Sequence, residues 1–173
     1  MCSTNAEENS APQILMAGDS TMAIKDPKDY PETGWGMPFA SFFAADIKIY
    51  NFAKNGRSTR TFKEEGLWQQ LMDICQPNDI VFIQFGHNDE SPSKVDRYNL
   101  KQYVADVRAK HAQPILLSPV TRRYFDKQGR IQATHPYTEI VAEVAKSTAV
   151  TYIDMDKISR EYFTALGDEG SAV

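Results

Sequence analysis

Gln13-Ile14-Leu15-Met16-Ala17-Gly18-Asp19-Ser20-Thr21 is the stretch on which the fold turns. Ile14 to Ala17 form an unbroken apolar run that stops at a glycine, the signature of a strand buried on both faces. A short polar segment with glycine, aspartate and serine follows at once. The same arrangement recurs twice. Lys48-Ile49-Tyr50-Asn51-Phe52 reads as a second strand and leads into Asn55-Gly56-Arg57-Ser58. Asp79-Ile80-Val81-Phe82-Ile83-Gln84-Phe85 reads as a third and leads into Gly86-His87-Asn88-Asp89. Two further strands are expected at Pro114-Ile115-Leu116-Leu117 and Val150-Thr151-Tyr152-Ile153.

Helical patterns separate the strands. They are expected over 39–45, 61–75, 100–111, 137–147 and 159–166. In the second, Leu67, Leu71 and Ile74 share a face; in the fourth, Ile140, Val141 and Val144 do. Regular alternation of strand and helix predicts a three-layer α/β domain, flavodoxin-like, with a five-stranded parallel sheet covered on both faces. The expected order is 2-1-3-4-5, and ligands bind such sheets beyond the carboxyl ends of the strands, at the switch point. Strands one, two and three are neighbours in that order, so their three glycine-containing loops should converge.

Those loops could supply an acyl-transfer site. Ser20, expected near a helix start, is a candidate nucleophile. Gly56 has no side chain to keep a substrate oxygen from its amide. Asn88 offers a side-chain amide to a developing oxyanion. Each has a plainer use when taken alone: Ser20 or Thr21 as a helix cap, Gly56 as a turn residue with positive φ, Asn88 in an Asx-turn. Their coincidence at three adjacent strand ends is what points to catalysis.

Bulk properties narrow the field. The chain has 173 residues, enough for one domain over 13–173 behind a polar, disordered tether at 1–12. Hydrophobic residues make up 42% and charged residues 24%, as in ordinary globular domains. A net charge of −4 argues against nucleic acid as a partner. No apolar stretch is long enough to span a bilayer. Cys75 lies in a helical apolar pattern and reads as a core thiol, and neither it nor Cys2 has metal-ligand spacing. His87 and Asp89 alone do not make a metal site.

The three loops resemble the blocks of the SGNH (GDSL) hydrolase family. Finer stretches resemble its rhamnogalacturonan acetylesterase branch: residues 55–61 (Asn55 to Thr61), Gln84 to Asp89, Ser118 to Arg123, and His135-Pro136-Tyr137. The resemblance implies Ser20 as nucleophile, with an oxyanion hole from the Ser20 and Gly56 amides and the Asn88 side chain. It implies removal of O-acetyl groups from a plant cell-wall polysaccharide such as pectin, through an acetyl-serine intermediate, with no cofactor or metal. Asp19, Arg57, His87 and His135 are the expected substrate-binding residues. Arg60, Arg122 and Arg123 are further candidates for a uronate carboxylate, each weighed against a simple surface ion pair. An extracytoplasmic location is implied, and Cys2 followed by a polar run is similar to a processed bacterial lipoprotein.

One departure stands out. The family's activating histidine lies in an Asp-x-x-His block, and no aspartate here is followed by histidine at that spacing. The chain is expected to stop short of that block, to be weakly active alone, and to leave an apolar strip uncovered. Two other functions remain open at this stage: a non-catalytic carbohydrate-binding module on the same scaffold, and a nucleotide or flavin binder. The second lacks any phosphate-binding glycine motif.

Overall fold

The computed structural model describes residues 11–89, 94–131 and 135–172. Cys2 and most of the expected tether lie outside them. Five strands, β1 (Ile14–Gly18), β2 (Ile49–Asn51), β3 (Ile80–Gln84), β4 (Gln113–Leu117) and β5 (Thr151–Ile153), form one sheet in the order β2-β1-β3-β4-β5. Every pairing is parallel. Ile14 sits beside both Ile49 and Ile80, so β1 and β3 start level and end level, at Gly18 and Gln84. This is the α/β architecture and strand order expected from the alternation of elements.

β1 is buried throughout because its successive side chains serve two cores. Leu15, Ala17, Val81, Ile83 and Leu116 join Phe62, Trp68, Tyr103, Val107 and Val144 in the larger one. Ile14 and Met16 point the other way, to a smaller cluster with Met22, Trp35, Phe39 and Phe82. The helices are α1 (Gly36–Phe39), α2 (Thr59–Glu64), α3 (Leu67–Ile74), α4 (Lys94–Ala109), α5 (Thr138–Thr148) and α6 (Met155–Gly170).

Three expected helices differ in a physically instructive way. The single helix over 61–75 is two, because Gly66 adopts φ 76° and ends one helix while opening the next. The helix over 39–45 is a four-residue turn of α1 followed by a 3-10 turn at Ala40–Phe42. The last helix begins at Met155, earlier than the pattern suggested, since Asp154 caps it by accepting from the Lys157 N–H. It exposes Ile158, Tyr162 and Leu166 at four-residue intervals.

Candidate active site

Asp19 and Ser20 follow β1 directly, in a turn closed by the Met22 and Ala23 N–H groups donating to the Asp19 carbonyl. No helix starts here, contrary to expectation. The turn is held instead by the Asp19 carboxylate, whose Oδ1 accepts from the Thr21 N–H (2.9 Å) and hydroxyl (2.8 Å). Asp19 is fully buried. Its Oδ1 shapes the turn, while its Oδ2 is buried with no hydrogen-bond partner among the described residues.

Two hydrogen bonds bring the loops together. The Lys54 N–H donates to the Gly18 carbonyl (3.1 Å), fastening the loop after β2 to the end of β1. Asn88 Nδ2 donates to the Arg57 carbonyl (3.2 Å), fastening the loop after β3 to the residue following Gly56. Asp89 adds a third link by accepting from the Thr59 N–H and hydroxyl at the start of α2. Ser58 completes that helix start with a capping box to Thr61. The segments carrying Ser20, Gly56 and Asn88 thus meet at the carboxyl edge of β2, β1 and β3.

The donors in this region are uncommitted. Among the described residues nothing accepts from the Ser20 N–H or the Gly56 N–H, and the Ser20 hydroxyl has no partner. Gly56 is exposed at φ 76°, and a Cβ placed there would meet no atom within 4 Å. Asn88 uses one of its two amide hydrogens on Arg57 and has another to give.

The remaining expected binding residues divide. Arg57 is spent internally: Nε and Nη2 donate to Glu65 Oε2 (3.0 and 2.8 Å), and Nη1 to the Asn55 carbonyl (2.7 Å). Its fork is therefore paired within the chain, on a residue the sequence reading took for a substrate ligand. His87 Nε2 lies 3.0 Å from the Val120 carbonyl. A carbonyl only accepts, so Nε2 carries the proton and a neutral ring leaves Nδ1 as a bare acceptor. His87 packs edge-on against His135, centroids 4.6 Å apart. His135 is buried and precedes α5; it does not start the helix. Its Nδ1 accepts from the Tyr137 N–H (3.2 Å), and its own N–H donates to Asp156 (3.0 Å). Burial, then His87, then Arg122 hold His135 down at a pKa of about 4. Burial also lowers His87, partly offset by the Asp19 charge. Both rings are neutral near pH 7.

Supporting residues escaped the sequence reading. Gln84, fully buried at the end of β3, accepts from Trp35 Nε1 (2.7 Å) and donates to the Ser118 carbonyl (3.1 Å) behind the Ser20 turn. A glutamine inside an apolar strand was the available signal. Lys25, 4% exposed, holds Glu32 (2.6 Å) and Asn55 Oδ1 (2.9 Å), bracing the Gly56 loop. Nothing local to Lys25 marks it as interior.

The family description "GDSL-like Lipase/Acylhydrolase" matches residues 16–171. The rhamnogalacturonan acetylesterase RhgT of Bacillus subtilis (strain 168) is 35% identical over 165 residues, covering 92% of this chain and 71% of that protein. The crystal structure of YXIM from Bacillus subtilis superposes with a TM-score of 0.84 at 26% identity, over 91% of this chain. The chain spans only 47% of that one. An acetyl-xylooligosaccharide esterase, the Axe2 W190I mutant from Geobacillus, shares the fold at a TM-score of 0.64 and 18% identity, covering 95% of this chain and 85% of its own. The chain therefore belongs to the GDSL-like lipase/acylhydrolase family, carboxylic ester hydrolases of the SGNH fold.

Proposed function

We propose that this domain removes O-acetyl groups from an acetylated plant cell-wall polysaccharide of the rhamnogalacturonan type, through an acetyl-Ser20 intermediate. The observation that carries the reading is the meeting of a partnerless serine hydroxyl with unspent amides from two other loops. Half-buried N–H groups are usually paired, so the unpaired Ser20 N–H is suited to an incoming anion, and the exposed Gly56 N–H is open to the same one. The Ser20 hydroxyl attacks the acetyl carbonyl. The Ser20 and Gly56 amides and Asn88 Nδ2 hold the tetrahedral oxyanion. The ester C–O bond then breaks and the sugar oxygen leaves as a hydroxyl, taking up through solvent the proton that Ser20 gave up; water next cleaves the acetyl-Ser20 ester to acetate, and a proton returns to the serine oxygen. A polymeric substrate of this kind lies outside the cytoplasm, which supports an extracytoplasmic location.

Proton transfer limits this scheme. The 173 residues hold no Asp-x-x-His. His135 is too weak a base near neutral pH, and His87, although its Nδ1 is a bare acceptor, is lowered by burial and makes no hydrogen bond to the Ser20 hydroxyl. Turnover by these residues is therefore slow, set by oxyanion stabilisation and binding, which leave ~10³–10⁴-fold over water when a triad member is missing. Initial rates on p-nitrophenyl acetate test this. A weak rate that falls on both Asn88→Ala and Ser20→Ala agrees, and a weak rate that Ser20→Ala leaves unchanged refutes the acetyl-Ser20 intermediate. A fast rate abolished by Ser20→Ala shows that a general base lies within the 173 residues, and a rate equal to buffer removes the esterase reading.

A further inference from the structure

Arg57, Arg60, Arg97, Arg123, Arg130 and Arg160 each hold a carboxylate of this chain, and Arg108 holds the Ala149 carbonyl. Arg122 is the exception: among the described residues its guanidinium has no partner, and the residue is exposed. Its backbone is nevertheless pinned on both sides. The Thr121 N–H donates to Ser159 Oγ (2.9 Å), and the Arg123 guanidinium is anchored to Asp168 and Ser171. The Tyr124 N–H donates to the Arg122 carbonyl itself (2.8 Å).

This fixed point lies beside the catalytic edge. Arg122 is in the loop after β4, and β4 pairs with β3, whose own loop carries His87 and Asn88. The His87–Val120 hydrogen bond joins the two loops. Two residues of chain reach at most about 7 Å, so the Arg122 backbone stands within that distance of Val120. The Arg122 charge is felt by both His87 and His135. An arginine with no internal carboxylate, on a backbone pinned beside the loop that carries His87 and Asn88, offers a planar fork suited to an external carboxylate.

We propose that Arg122 is a specificity residue that grips the carboxylate of a uronate sugar next to the acetylated position. The proposal rests on the acetylesterase reading for its substrate, and it separates acidic acetylated oligosaccharides from neutral ones such as acetylxylan. Arg57, which the motif made the stronger candidate, already has its fork on Glu65.

Calorimetry with the intact chain tests it independently of turnover, using trigalacturonate and, as the neutral control, xylotriose. Trigalacturonate is expected to bind more tightly than xylotriose, and more weakly as salt rises. Arg122→Ala is expected to weaken trigalacturonate binding about 10- to 100-fold. Arg122→Lys restores only part, because an ammonium lacks the bidentate fork. Ser20→Ala retains the binding. Equal affinity of the wild-type protein and Arg122→Ala for trigalacturonate overturns the proposal, as does wild-type binding of trigalacturonate no tighter than that of xylotriose. Loss of acidic binding in Arg122→Ala without any ester cleavage by the wild type upholds the carboxylate grip while refuting the esterase reading.

Discussion

Acidification from pH 7 to pH 5 should destabilise this domain through one residue, His135. An exposed or unfolded histidine titrates near 6.5, whereas burial, the neighbouring His87 ring and Arg122 keep the folded one at about 4. The folded-state value is depressed, so the unfolded chain binds more protons between these two values and stability falls as pH drops through that window. At pH 5 the unfolded histidine is almost fully protonated and the folded one almost fully neutral. The loss between pH 7 and pH 5 is about 2 kcal/mol, rising to about 3 kcal/mol below pH 4. His87 adds to it in the same direction, since burial lowers it too. The physical obstacle is specific: protonating His135 puts a cation edge-on to His87 and near Arg122, out of contact with water. Urea unfolding at both pH values measures the loss. His135→Asn isolates it, because asparagine Oδ1 can still accept from the Tyr137 N–H two residues on, as His135 Nδ1 does, but cannot titrate. The variant should lose about 2 kcal/mol less than the wild type over the same interval. Parallel pH profiles for the two proteins would show that His135 is solvated in solution and that the packing argument is wrong.

Asp79→Ala should cost about 3–5 kcal/mol, read as a fall in urea midpoint, because it strands the Gln13 and Gln76 N–H donors that the buried carboxylate now accepts from. Gly86→Ala should lower Tm by roughly 6–12 °C: its φ of 147° suits only glycine, and a Cβ would sit 2.7 Å from Pro119 Cγ and 3.0 Å from Tyr137 Cβ. Cys75 should resist iodoacetamide at pH 8 in the native state and react only on unfolding, since burial pushes its thiol up to about 11; rapid native labelling would contradict its burial.

The order of elements, the strands and the three loops are legible in the chain itself. Apolar runs ending in glycine and helical patterns between them encode a parallel sheet, and its order follows from connection rules that depend on no particular side chain. Ser20, Gly56 and Asn88 could be singled out because each directly follows such a run. What the pattern could not show is which polar groups are already spoken for. Arg57 beside Gly56 looks like a ligand until Glu65, on the far end of α2, is seen to claim it. Asp19 reads as a binding residue in its motif, yet one of its oxygens is already bound to Thr21. Arg122, no more prominent in the sequence than Arg123, is left open because Asp168, distant along the chain, claims only its neighbour. Local periodicity reports which faces are apolar; the pairing of charges is a long-range matter, settled only when remote segments are brought into contact by the fold.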